Sequence, residues 1–250
     1  MGGDYAVPAL NVRDANNPQE IVKRKGDRFD YNISSFAKWI GAFTELEFKK
    51  NRFSGVISLT TSYAGYNRSD YYELRNEDGS YPSSGLVTFY GFTVKGGLNY
   101  KLTAQQSIFV NGGFYTLPPH LVFVFQGRSI VINPDIINKK IEALEVGYLL
   151  RLPKLAINLN GYYTFWRDRP VRGVCASGPE IVFFTTAMDA LHRGIEVDAS
   201  YNIFHNLNIE GLISVGDWTW QSAKTVICFD DDTNLPMDTV EYDAVGIKSE

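Results

Sequence analysis

The stretch LAINLNGYYTFWRDRP, from Leu155 to Pro170, decides the fold. Its residues alternate between an apolar and a largely polar set. The apolar set is Leu155, Ile157, Leu159, Tyr163 and Phe165, and the other set is Asn158, Asn160, Tyr162 and Thr164. A period of two residues is typical of a β-strand with one dry face and one wet face. The dry face carries no charge over about ten residues, which is roughly the length that a tilted strand needs to cross the hydrocarbon layer of a membrane.

The same alternation recurs from end to end of the chain, with no convincing helical stripe between the segments. It predicts eight strands, at residues 30–48, 53–66, 87–101, 106–117, 140–152, 155–167, 191–203 and 207–220. A ninth strand is predicted to begin near Thr239. The charged residues that share the polar face are Glu145, Arg151, Glu196, Asp198 and Glu210.

Short and long connections alternate between the predicted strands. The short ones are residues 49–52, 102–106, 152–154 and 204–206, and the long ones are 67–86, 118–138, 168–190 and 221–238. Long structureless loops count against a compact soluble domain, but short turns at one end and long loops at the other are typical of outer-membrane barrels. The pattern predicts an all-β, antiparallel up-and-down transmembrane β-barrel, present as a partial barrel of about eight to nine strands. A β-sandwich with an equally apolar buried face is the alternative.

Composition and motifs exclude several classes of function. The net charge is −4 and the basic residues are scattered apart from VKRKGDR at Val22 to Arg28, which argues against a nucleic-acid partner. The sequence contains no run of 18 apolar residues, so it predicts no transmembrane helix. The first twenty residues lack the features of a signal peptide, so we expect an exported protein to be represented only in part. No nucleophile elbow, phosphate loop, HExxH or GxGxxG motif occurs, so no enzyme activity is expected.

Five stretches resemble a known family: SIFVNGGFYTLPP (107–119), INPDIINKKIEALEVGYLLR (132–151), LAINLNGYYTFWRDRP (155–170), ALHRGIEVDASYNI (190–203) and LNIEGLISVGDWTW (207–220). In order and spacing they are similar to the C-terminal part of the β-barrel of TonB-dependent outer-membrane receptors. The resemblance extends from about Phe29 onward. It identifies residues 1–250 as a fragment of such a barrel domain, with the plug, the signal peptide and the last strands absent.

The resemblance implies a function in the outer membrane of a Gram-negative bacterium. Such receptors take up a nutrient ligand, such as a siderophore, another metal chelate or an oligosaccharide, and this chain would form barrel wall and extracellular loops. The implied partners are outer-membrane lipid and lipopolysaccharide, the protein's own plug domain, the TonB energy-coupling complex reached through the missing N-terminal part, and the imported ligand. Plugged barrels of this kind have 22 strands. A passive porin and a secreted carbohydrate-binding β-sandwich are the alternatives.

Aromatic and basic residues cluster where two predicted strands meet long loops. Trp166, Arg167 and Arg169 lie at the base of one loop, and Trp218 and Trp220 at the base of the next. Indole rings and guanidinium groups could form a stacking and hydrogen-bonding ledge for a sugar or a chelate. The alternative is an aromatic girdle at the membrane interface, to which the following residues would belong: Tyr63, Tyr66, Tyr115, Tyr163, Trp166, Trp218 and Trp220.

Neither a metal site nor a cofactor is expected. The three histidines, His120, His192 and His205, fall in different loops or strand ends. The acidic stretch CFDDDTNLPMD (228–238) lacks the spacing and the glycine of a calcium-binding loop. Cys175 and Cys228 lie in consecutive long loops on the same predicted side, where an oxidising compartment would permit a disulfide.

Overall fold

The computed structural model describes residues 5–6, 22–23, 32–71, 76–174, 182–204, 206–229 and 236–249. Most of this part of the chain is extended. The strands are β1 Tyr5–Ala6, β2 Val22–Lys23, β3 Ile33–Lys50, β4 Phe53–Asp70, β5 Val87–Lys101, β6 Gln106–Leu117, β7 Lys139–Arg151, β8 Leu155–Val174, β9 Val182–Phe204, β10 Leu207–Trp220, β11 Ala223–Phe229 and β12 Pro236–Asp243. A single turn of helix, α1, spans Leu121–Val124. Within the described ranges, no helix has the length and apolarity needed to cross a membrane.

Strands β3 to β10 form one sheet in which every strand pairs antiparallel with its neighbours in sequence. β3 and β10 are the edges of this sheet, while β1 with β2, and β11 with β12, form separate two-stranded sheets. The bounds of β5, β6 and β10 are those predicted from the alternation. The fold is therefore a partial antiparallel up-and-down β-barrel, as predicted.

Pairing assigns each residue to one of two faces, because residues directly opposite in an antiparallel pair point the same way. Asn160 lies opposite Glu196, and Glu196 lies opposite Ser214, on what we call the polar face. Leu159, Ile195 and other apolar residues occupy the opposite, apolar face. The predicted lumen-facing charges all share the polar face: Glu145, Arg151, Glu196, Asp198 and Glu210.

A row of hydrogen bonds crosses the polar face from β6 to β10. Asn111 Nδ2 donates to Glu145 Oε2 at 3.1 Å, and Asn160 Nδ2 donates to Glu145 Oε1 at 3.0 Å and to Glu196 Oε2 at 3.5 Å. Ser214 Oγ donates to Glu196 Oε1 at 3.2 Å. Amide and hydroxyl donors thus satisfy both carboxylates, and we call this row the polar ladder.

The apolar face has no covering layer among the described residues. Ile195, Ile213 and Val215 are 58%, 68% and 70% exposed. Soluble monomers rarely expose contiguous apolar patches larger than a few hundred Å². The β-sandwich alternative, which requires these rows to face a second sheet across a dry interior, is therefore wrong, and the exposed band suits hydrocarbon instead.

Aromatic side chains cover glycines on the polar face. A Cβ at Gly194 would lie 2.6 Å from Tyr162 Oη and 2.6 Å from the Val215 carbonyl oxygen. The Phe109 ring covers Gly147 in the same way. Glycine is required at these positions because the neighbouring strand's ring occupies the space of a side chain, which explains the frequent glycines in otherwise regular strands.

Two of the predicted long loops are wrong. Residues 168–190 contain the ends of β8 and β9, which continue their pairing past a bulge to Val174 and Val182. Residues 221–238 contain β11, which pairs with β12 from Ala223 opposite Asp243. Both segments carry further alternating β-branched and aromatic residues, which pair locally once the main sheet ends.

The predicted ninth strand is also placed differently. Residues near Thr239 belong to β12 and pair with β11, outside the large sheet. The chain returns to β10 only afterwards, where Trp220 N donates to the Ile247 carbonyl oxygen at 2.9 Å and Ser249 N donates to the Trp218 carbonyl oxygen at 3.0 Å. Lys248 lies opposite Thr219 in an antiparallel bridge.

Candidate ligand-binding site

The site lies on the polar face near the long-connection rim, which is the end of the sheet where β4 leads to β5 and β6 to β7. Three strands bring four aromatic side chains together here. His192 of β9 lies between Trp166 of β8 and Trp218 of β10, with ring centroids 6.0 Å and 5.8 Å apart. Trp218 Nε1 donates to Tyr162 Oη at 2.8 Å. We call these four residues the aromatic platform.

The platform is fixed by its surroundings. The His192 ring nitrogen Nε2 lies 2.9 Å from Ser249 Oγ, so the chain segment beside β10 supports the middle of the platform. Trp220, which lies opposite Ala190, is 9% exposed and packs in a cluster with Met188 and Ala244. Trp166 also packs against this cluster. Rigid packing of this kind holds a binding surface in one geometry.

Arg169 adds a positive charge beside the platform. Its guanidinium carbon lies 4.9 Å from the ring centroid of Trp220 and 5.7 Å from that of Trp166, within range of cation–π attraction. A bulge between Trp166 and Arg169, with Asp168 at φ 57°, turns Arg169 toward the rings on the polar face. Asp168 N donates to Asp189 Oδ1 at 3.1 Å, which holds the bulge in place.

Two donors at this site, Arg169 Nη1 and Trp166 Nε1, are buried and have no hydrogen-bond partner within the described part of the chain. Buried polar groups are normally paired with protein, water or ligand. Burial lowers the pKa of the Arg169 guanidinium from its usual value, yet an arginine stays charged in proteins. The site therefore combines flat rings, a partly desolvated cation and unused donors.

Arg167 is not part of this arrangement. Its Nε donates to Glu142 Oε1 at 3.0 Å, and its guanidinium carbon lies 4.7 Å from the Phe165 ring centroid. Both partners lie on the apolar face. The structure thus brings together four residues of the predicted set: Trp166, Arg169, Trp218 and Trp220. It adds Tyr162 and His192. In the sequence, Tyr162 is an even number of residues from Trp166, which indicates that both side chains lie on the same face of β8.

The aromatic girdle is distributed differently from the sequence prediction. Of the seven predicted members, pairing places Tyr63 and Tyr163 on the apolar face. The other five lie on the polar face: Tyr66, Tyr115, Trp166, Trp218 and Trp220. Another aromatic group, absent from the prediction, lies on the apolar face near the short turns, where Phe53 and Tyr100 have centroids 4.6 Å apart.

The connection at residues 118–138 folds back against β4 on the polar face. Val124 and Phe125 are fully buried and pack with Ala64 and Tyr66. Arg68 Nη1 donates to the carbonyl oxygens of residues 127 and 129 at 2.9 and 3.0 Å, and Tyr66 Oη donates to that of residue 119 at 2.7 Å. This loop is therefore an ordered part of the wall around the rim.

The remaining sequence predictions concern metals and cysteines. Among the described residues, no three His, Cys, Asp or Glu side chains are placed to hold a metal ion. His120 Nδ1 accepts a 3.4 Å hydrogen bond from Val122 N at the start of α1, and His205 lies outside the described residues. Cys228 is buried in β11. Cys175 lies outside the described residues, so their disulfide stays a prediction.

Solved structures share this fold. The copper transporter OprC superposes with a TM-score of 0.58 and 18% identity, over 74% of this chain and 30% of its own. The import receptor Fiu from E. coli K12 superposes with a TM-score of 0.57 and 13% identity, over 82% of this chain and 30% of its own. The siderophore receptor PiuA from Acinetobacter baumannii superposes with a TM-score of 0.58 and 12% identity, over 87% of this chain and 30% of its own. The chain has the barrel fold of TonB-dependent outer-membrane receptors.

This is a fold of the Gram-negative outer membrane. The chain spans about 30% of the length of each of these three TonB-dependent receptors. No protein-family model matches the sequence, and no curated protein matches it.

Proposed function

We propose that this chain forms barrel wall and extracellular loops of a TonB-dependent receptor in the outer membrane of a Gram-negative bacterium. The receptor imports a nutrient ligand such as a siderophore, another metal chelate or an oligosaccharide. The fold supports the transport class. The observation that supports a role in ligand binding is the aromatic platform beside Arg169, which lies on the polar face at the long-connection rim.

The chemistry of the site suits capture without bond rearrangement. The aromatic rings have centroid distances of 5.8 and 6.0 Å and are tilted to one another by 35° and 49°, and they offer apolar faces to a sugar ring or a planar chelating group. Arg169 provides directional donors for a carboxylate or phenolate oxygen. The solved relatives are transporters and receptors, which supports a role without catalysis.

The two faces suggest where the other partners bind. The apolar face meets outer-membrane lipid, and the polar face, with its polar ladder, lines the lumen that the protein's own plug domain occupies. The TonB energy-coupling complex acts on the plug through the N-terminal part of the protein.

The two neighbouring arginines provide the test. Arg169→Gln and Arg167→Gln remove the same charge two residues apart on opposite faces. In cells that produce the full-length receptor, uptake is measured for a panel of ferric siderophores, copper and labelled oligosaccharides. We expect Arg169→Gln to lower uptake of the cognate compound about tenfold, as for one lost charged hydrogen bond, and Arg167→Gln to leave it unchanged.

An uncoupler of the proton-motive force separates the receptor from a porin, which is the remaining alternative. Energy-coupled import stops when the uncoupler is added, whereas passive diffusion continues. Uptake that persists, or equal effects of the two arginine variants, would contradict the proposal.

A further inference from the structure

The end of the sheet opposite to the long-connection rim carries unpaired positive charge. We call it the short-turn rim, and it is the end where β3 leads to β4, β5 to β6 and β7 to β8. Its turns and the strand ends beside them, residues 48–56, 99–108 and 148–158, contain no Asp or Glu. They contain six exposed cations, which we call the cation row: Lys49, Lys50, Arg52, Lys101, Arg151 and Lys154. The chain as a whole, in contrast, has a net charge of −4.

The cation row differs from the other end of the sheet, where cations pair with carboxylates. The paired cations there are Lys140, Arg167, Arg193, Lys224 and Lys248. No side chain of the cation row makes an ion pair, a hydrogen bond or a cation–π contact with any residue that the structure describes. Like charges that are held close together repel one another. The row therefore gains free energy when an anionic partner from outside the chain lies against it.

Backbone hydrogen bonds hold the turns of this rim in line. They run from an N–H group to a carbonyl oxygen of the neighbouring turn: Lys101 to Arg52 at 2.9 Å, Arg151 to Gln105 at 2.8 Å, and Asn202 to Lys154 at 2.8 Å. Successive turns are two strand spacings apart, which is about 10 Å. The cations are therefore carried by an ordered backbone and spread along the rim, which suits an extended partner with several anionic groups.

The cation row belongs to the end of the barrel wall and not to one of its faces. Lys50 lies on the apolar face, and Arg52 and Lys154 lie in the turns. The other three members lie on the polar face: Lys49, Lys101 and Arg151. A phospholipid head group reaches the row only from the apolar side, and a plug in the lumen reaches it only from the polar side. A partner that contacts the whole row lies across the end of the wall.

We infer that the short-turn rim binds peptidoglycan through the carboxylates of its peptide stems. This inference rests on the proposed function, in which the long connections are extracellular and the short turns face the periplasm. Peptidoglycan is an extended polymer in that compartment, and its stems carry free carboxylates at repeated positions. Lysine and arginine bind carboxylates through charged hydrogen bonds, and several weak contacts along one polymer add to the overall affinity. The contact holds the barrel to the cell wall from below.

The test measures co-sedimentation of the full-length receptor, purified in detergent, with purified peptidoglycan sacculi. We expect the double variant Arg52→Gln with Lys154→Gln to weaken binding about tenfold, since two charged contacts are lost. Both residues lie in turns, so the lumen wall and the lipid face stay intact. The matched control is Lys38→Gln with Lys248→Gln, which removes two exposed cations from the long-connection rim and should leave binding unchanged.

A second measurement checks the chemistry of the partner. Sacculi whose carboxylates have been converted to amides should no longer retain the unchanged receptor. Wild-type sacculus binding by Arg52→Gln with Lys154→Gln would overturn the inference, as would equal weakening in the control or equal binding to amidated sacculi. Loss of binding to phosphatidylglycerol vesicles in the double variant, with sacculus binding intact, would also overturn it and assign the row to lipid.

Ala104→Cys separates failure of this inference from failure of the proposed function. In cells whose receptor has Cys175 and Cys228 replaced by serine, a thiol reagent too large to cross the outer membrane should label position 104 only after that membrane is permeabilised. Labelling in intact cells would refute the proposed orientation. Labelling only after permeabilisation, together with absent sacculus binding, would refute the peptidoglycan contact alone.

Discussion

Arg167 and Arg169 lie two positions apart and nevertheless face opposite sides of the sheet. An uninterrupted strand would place both on the apolar face, because side chains alternate with a period of two. The positive φ of Asp168 and the bulge beside it interrupt the alternation, so that Arg169 lies on the polar face beside Trp166 and Trp220. Bulges commonly redirect a side chain next to a functional site. The irregular backbone at Asp168 therefore determines which arginine belongs to the site.

Replacing a polar-face glycine that a neighbouring ring covers should lower the stability of the barrel. We expect Gly194→Ala to destabilise the barrel by about 1–3 kcal/mol, the usual cost of overpacking, because the new Cβ would lie 2.6 Å from both Tyr162 Oη and the Val215 carbonyl oxygen. Gly211→Ala is the control, since no atom lies within 4 Å of its Cβ position. The unfolding temperature of the full-length protein in detergent checks this. Equal destabilisation by both substitutions would be inconsistent with ring-over-glycine packing.

At the scale of elements, the polar ladder joins β6 to β10 through two carboxylates and their donors. Asn160 is central because it donates to both Glu145 and Glu196. We expect Asn160→Leu to cost about 1–3 kcal/mol, since it removes a donor from two carboxylates on a crowded wall. The measurement is the free energy of unfolding in denaturant titrations of the full-length protein in detergent.

Asn158 provides the control for the ladder. It lies two residues away on the same face of β8, and its buried side-chain oxygen has no hydrogen-bond partner among the residues that the structure describes. Asn158→Leu should therefore be nearly neutral, because it removes an unsatisfied acceptor. If Asn158→Leu destabilises the barrel as much as Asn160→Leu does, the ladder is not the source of the stability.

Particular elements show which features the sequence predicts. The sequence predicts β5, β6 and β10 with their observed bounds because their alternation ends at tight turns or at polar or proline-containing segments. The ends of β8 and β9 and the β11–β12 hairpin were missed because local pairing beyond the sheet leaves the same alternation and no turn marks the boundary. The tryptophans were assigned by their position at strand ends, although the even numbering of Trp166, Trp218 and Trp220 already indicates the polar face.

At the scale of the whole molecule, the sheet is a single amphipathic layer with two edges. β3 and β10 each have one paired neighbour in the large sheet, apart from the short contact of residues 247–249 with β10. Lipid cannot satisfy the open backbone groups of an edge strand. We therefore expect the chain to be stable in a membrane only as part of a closed barrel, in agreement with the 30% of each solved receptor that it matches.

The central claim is that one face of this sheet meets lipid and the other meets water. Spin labels on single cysteines at positions 157 to 165 of β8, in the full-length protein in bilayers with Cys175 and Cys228 replaced by serine, measure it directly. Collision with oxygen should peak at Ile157, Leu159, Gly161, Tyr163 and Phe165, and collision with a water-soluble nickel chelate should peak at Asn158, Asn160, Tyr162 and Thr164. Loss of this two-residue alternation, or its reversal, would contradict the account.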